Sequence, residues 1–154
     1  MQSWKTLDCF EFGSTIECVS ELNGRGYRVS DWISDVSERF VVDTKRYPVD
    51  LYKVRVGDII STNPVELLDF YDALKSEGFN LVTLDNALMC RFMYDEQEKG
   101  EWMRFATPLD SMVDSDGVPH LPKLGSALNK YYIETYWSYP KAIFHSHNEF
   151  VVSR

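Results

Sequence analysis

Three histidines and two aspartates are the side chains of this 154-residue chain whose types and spacing come closest to metal chemistry. His145 and His147, in the stretch HSHNE, alternate along a segment that reads as extended, which would put both imidazoles on one face. His120 or Glu149, with Asp114 or Asp116 of DSDGVPH close by, would complete a three-ligand site of the catalytic zinc kind. Such a metal would activate a water for hydrolysis. A calcium loop is a poorer fit. With Gly117 at the sixth position of an EF-hand loop, Asp114 and Asp116 fall at the third and fifth, but the first becomes Met112 and the twelfth Lys123. Asp and Gly are also what a tight turn needs, since Asp bonds its own backbone and Gly tolerates positive φ. DSDGVPH therefore reads first as a turn.

Other catalytic signatures are missing from the sequence: it has no G-x-S-x-G elbow, P-loop, G-x-G-x-x-G or H-E-x-x-H. Two further groups merit attention. Arg91 and Glu101 flank the charged run DEQEKG, and as arms of a hairpin they would face each other across it. If Arg91 instead lies in a pocket between sheet and helices, then Arg91, Glu101 and Trp102 form a small-ligand site with an anion-binding guanidinium. The second group is the aromatic string Tyr131, Tyr136, Trp137 and Tyr139, a candidate interface because Tyr and Trp are the commonest binding anchors.

Composition restricts the partners. Sixteen Lys and Arg stand against 24 Asp and Glu, a net charge of -8 without any basic run. Nucleic acids and anionic membranes draw affinity from clustered cations, so neither is expected as a partner. Another protein, preferably basic, fits the acidic surface better, and self-association into a homo-oligomer is a further expectation. The three cysteines show no C-x-x-C and no zinc-finger spacing, no basic and apolar leader opens the chain, and no apolar run is long enough to span a bilayer. A reduced, cytoplasmic protein without a cofactor is the expectation, with Cys9 and Cys18 as small core residues.

These groups need elements to hold them. Residues 3–12 are β-prone, and Ser14 with Glu17 forms a capping box for a first helix that ends at NGRG. Ser30 caps a second helix over DWISDVSERF. VDLYKVRV (49–56) alternates as a strand, and NPVELLDFYDALKSEGF reads as a third helix with Asn63 as N-cap, Pro64 first inside and Gly78 as the stop. NLVTL, LMCRFMY and EWMRFATPL then read as strands, residues 110–126 as a loop, and KYYIETYW and EFVV as closing strands. Helices early and antiparallel strands late predict a single α+β domain over 1–154, a mostly antiparallel sheet with about three helices on one face.

Trp4, Lys5, Thr6, the Asp31–Trp32 pair, Gly78, Leu81, Arg91, Tyr94, Gln97, Gly100, Glu101, Trp102, Pro108 and DSDG at 114–117 recur in an order that resembles a family of uncharacterised bacterial proteins. That family carries an Ala-Glu-Val-Gly-Pro segment where this chain has LDNAL (84–88), so only the acidic position persists, as Asp85. The resemblance implies one recurring domain layout and no particular activity. Of the functional readings, a small acidic binding protein of the inhibitor, immunity or antitoxin type leads, more binding protein than enzyme. The histidine metal hydrolase and the Arg91 ligand site stand behind it.

Overall fold

The computed structural model describes residues 1–154. A seven-stranded sheet runs, edge to edge, β1 (Lys5–Leu7), β3 (Val49–Arg55), β9 (Glu149–Ser153), β5 (Trp102–Phe105), β6 (His120–Ala127), β7 (Lys130–Trp137) and β2 (Arg28–Val29). Neighbours are antiparallel except for β5 with β9 and β2 with β7. A second sheet joins β4 (Val65–Glu66) to β8 (Ile143–Phe144). No helix is long and apolar enough to cross a membrane.

Period-two alternation divides each strand between two cores. Leu51, Met103, Phe105, Leu124, Ile133 and Val151 point to one face of the sheet, where α1 (Thr15–Gly24), α2 (Asp31–Ser37) and α5 (Leu84–Met93) cover them. Val54, Leu121, Phe150 and Val152 point to the other, where they meet α3 (Val56–Ile59) and α4 (Leu67–Ser76). The architecture is the α+β expected, with three helices on one face. The third of them is α5, however, because the Leu67 helix packs on the opposite side.

The first two helices start where their caps place them. Ser14 Oγ accepts the Glu17 amide at 3.2 Å and Ser30 Oγ accepts the Ile33 amide at 3.3 Å, each satisfying an amide that has no partner within the helix. α4 begins later than its sequence suggests. Val65 and Glu66 pair with β8, and the Leu67 and Leu68 amides donate to the Ala142 and Pro140 carbonyls at 2.8 and 3.0 Å. Neighbouring backbone thus does the work expected of an Asn63 cap, while Asn63 Oδ1 accepts the Ser146 amide at 3.1 Å instead. Gly78, at φ 82°, ends α4 as expected.

LMCRFMY is helix α5 and not a strand. Every residue from Leu84 to Arg91 is buried, Asp85, Asn86 and Arg91 included, so no solvent face marks a helical period, and a short buried run cannot be told from a buried strand. Its start was encoded, however: Asn86 Oδ1 accepts the Thr83 amide at 3.1 Å, the returning half of a capping box. NLVTL contributes only an isolated bridge, Asn80 with Ser153. Residues 120–126, read as loop because of Pro122 and Gly125, belong to β6 in the middle of the sheet. Cys9 is exposed, contrary to expectation, whereas Cys18 and Cys90 are buried.

Candidate functional site

DSDGVPH is a turn. Asp114 Oδ1 accepts the Asp116 and Val118 amides at 2.8 and 3.0 Å, Gly117 takes φ 84°, and Val113 bridges Pro119 across the loop. The other carboxylate oxygen reaches inward to His120 Nε2 at 2.7 Å, while His120 Nδ1 lies 3.1 Å from Thr135 Oγ1. Both side chains of the Asp114–His120 pair are almost wholly buried. The His120 bond, with help from the two amides, holds the Asp114 carboxyl below the usual carboxylate range. Both nitrogens of His120 are thereby committed, and Trp32 stacks on the ring at 5.2 Å.

The metal expectation is corrected by these positions. His145 and His147 stack on each other, 6.0 Å apart and exposed, while His120 faces inward on β6 with its nitrogens engaged. No group of three or more His, Cys, Asp or Glu is placed to hold a metal ion. The paired histidines do lie side by side, but across a turn and not along an extended segment: the Asn148 amide donates to the His145 carbonyl at 3.0 Å. What the sequence could not convey is that Asp114, six residues before His120 in the chain, would close on it.

Arg91 and Glu101 do not face each other, because Arg91 is on a helix. Its guanidinium is fully buried between the sheet and α5. Nη1 donates to Gln97 Oε1 at 2.8 Å, Tyr132 O at 3.0 Å and Gly125 O at 3.1 Å, and Nη2 donates to Tyr94 O at 2.7 Å. The rings of Tyr131 and Tyr27 lie 4.9 and 5.9 Å from its central carbon. With carbonyls as its acceptors, burial lowers its pKa. Arg91 therefore pins α5 to β6 and β7 and has no face toward a ligand. Glu101 belongs to a separate cluster, accepting from Tyr94 Oη at 2.8 Å and lying 3.6 Å from Lys53. Trp102 points to the other face of the sheet, where it lies against Gly125 so closely that an added Cβ there would meet its ring at 2.1 Å. The three residues of the expected ligand site are thus placed in three environments.

The aromatic string also divides. Tyr131 is half-buried over Arg91, with its hydroxyl on the Asp95 carbonyl. Tyr136 lies on the opposite face of β7 under Arg104, 4.5 Å from its guanidinium carbon. Trp137 and Tyr139 remain outside, at 63% and 45% exposed, and pack edge to face at 6.4 Å. Trp137 is the cross-strand partner of His120, whose ring carries the 45% exposed Trp32. Trp32, Trp137 and Tyr139 consequently crowd one end of the β6–β7 pair, beside the turn that holds the exposed Asp116 and next to the exposed Asp31. Sequence reasoning missed Trp32, which at helical spacing looks like a core residue. Comparison with family models, curated proteins and solved structures finds no match.

Proposed function

We propose that this chain is an acidic protein-binding domain whose partner is a basic protein docking on the Trp32, Trp137 and Tyr139 end of β6 and β7. The observation that carries the reading is the exposure of these three large aromatic side chains together, on a chain of net charge -8. Aromatic anchors of this kind dominate binding energy once desolvated, and an acidic rim speeds encounter with a cationic surface. The buried Asp114–His120–Thr135 chain supports the reading structurally, because it gives Trp32 and the DSDG turn a rigid base, and preformed anchors lose little entropy on docking.

The test is parallel affinity capture from the source organism at low ionic strength with the wild type and a Trp137→Ala/Tyr139→Ala variant. A basic protein should be retained by the wild type, released by about 0.5 M salt as screening shortens the field, and absent from the variant. A partner held equally by both proteins would refute the site. No retained protein at low salt would refute the function.

A further inference from the structure

The second face of the sheet is only partly covered. α4 lies over β3 and β9, with Phe70 against Phe150 at 4.8 Å, but over β5, β6 and β7 the side chains are half-exposed. Register arranges them in rows. Trp102, Gly125 and Tyr132 form one, and Arg104, Lys123 and Glu134 form the next. The second row breaks a rule of sheet pairing. Arg104 and Lys123 are direct cross-strand partners, and like charges in that position repel. Only Lys123 has an acid, Glu134, and that at 3.9 Å. Arg104 has no ion pair, its Nε is buried without an acceptor, and its guanidinium carbon sits 4.5 and 5.3 Å from the rings of Tyr136 and Phe144. Burial lowers the pKa of both cations, and the Arg104 charge lowers that of Lys123 further.

The neighbouring row supplies a flat surface. Gly125 has no side chain, so Trp102 lies down on the sheet, with Tyr132 5.9 Å away and the Lys123 ammonium 5.0 Å from its centroid. Two cations that repel each other on an open aromatic surface both gain from an anion placed between them, beyond what Glu134 and the rings supply. The rest of the molecule is acidic, which repels a polyanion but tolerates a small ligand of low charge.

We infer that the uncovered face of β5, β6 and β7 binds a small aromatic oxyanion, with its phosphate or carboxylate held by Arg104 and Lys123 and its ring lying against Trp102 and Tyr132. This site is on the opposite face of the sheet from Trp137 and is independent of the protein partner. Arg104 supplies the planar fork suited to such a group.

The experiment follows backbone and indole NMR signals during titration with adenosine monophosphate and, separately, with indole-3-acetate. Saturable shifts confined to residues 102–104, 123–125 and 132–134 are expected with at least one probe below about 10 mM. The responding probe distinguishes a phosphate from a carboxylate source. Arg104→Met, which keeps the stem on Tyr136 and Phe144, should weaken binding about tenfold or more. Without ligand the same variant should melt at a higher temperature than the wild type, because the like-charge pair is gone. Failure of both probes to shift these signals, or unchanged affinity in the variant, would overturn the site. A lower melting temperature of the unliganded variant would overturn the claim that Arg104 is kept at a cost to stability.

Discussion

Replacing Arg91 by Leu tests the central structural claim, that a cation rather than an apolar side chain joins α5 to the sheet. Leu fills part of the space but removes every donor. Three backbone carbonyls, of Tyr94, Gly125 and Tyr132, lose a charge-assisted bond, and Gln97 Oε1 loses the group that orients it. At about 1 kcal/mol for each buried carbonyl, the low end of the usual penalty, the loss is about 3 kcal/mol. For a domain held by about 5–15 kcal/mol this is a large fraction. Urea unfolding followed by tryptophan fluorescence reads it directly: with a slope of about 2 kcal/mol per molar, the midpoint should fall by about 1.5 M at unchanged slope. Arg91→Lys should lie between the two, since one ammonium cannot reach acceptors spread over α5, β6 and β7. A midpoint within about 0.3 M of wild type for the Leu variant, less than 1 kcal/mol on the same slope, would refute the reasoning and mean that these carbonyls are satisfied without the guanidinium.

Other outcomes follow from the same geometry. Asp114 and Asp35 both have carboxyls held below their ordinary range, by His120 and by Arg39 respectively, so the stability they contribute is complete above the unfolded carboxylate pKa, near pH 4, and is lost as pH falls through their lowered values. Asp114→Asn should therefore flatten the acid limb of a melting-temperature profile while lowering stability at neutral pH, and an unchanged acid limb would contradict the pairing. Burial pushes the Cys18 and Cys90 thiols up to about 12, so a disulfide reagent at pH 8 should titrate one thiol, exposed Cys9, in the native protein and all three after unfolding. Gly125→Ala places a methyl where the Trp102 ring lies, 2.1 Å from the new carbon, and should cost about 1–3 kcal/mol in urea unfolding and shift the tryptophan emission; neither change would be seen if the ring is free to leave.

What the sequence makes legible is local. Ser14, Ser30 and Gly78 act within a turn of their own position, and each does in the structure what its residue type suggests. α5 was hidden because burial on all sides erases the polar face from which a helix is recognised. β6 was hidden because Pro122 and Gly125, both poor strand residues, serve this strand through what lies across from them: Gly125 admits the Trp102 ring. The aromatic anchors could be named from the sequence but not sorted. Tyr131, Tyr136 and Trp137 fall to different environments once register is known, and Trp32 joins Trp137 only through His120. Arg91 and Glu101 read as facing arms of a hairpin, whereas Arg91 lies on α5 and Glu101 beside β5.

The position of β9 has a consequence for how the chain acquires its shape during synthesis. Residues 149–153 lie between β3 and β5 and are the sole link between a two-stranded piece, β1 with β3, and a four-stranded piece, β5, β6, β7 and β2. Until those residues leave the ribosome, both pieces expose a raw edge of unpaired backbone. The two pieces join only when β9 pairs with both, and the sequence separation of about a hundred residues between β3 and β9 makes that a non-local, entropically costly closure. Fragments ending before residue 149 should be aggregation-prone forms of this protein, and the five residues of β9 convert their two pieces into one sheet.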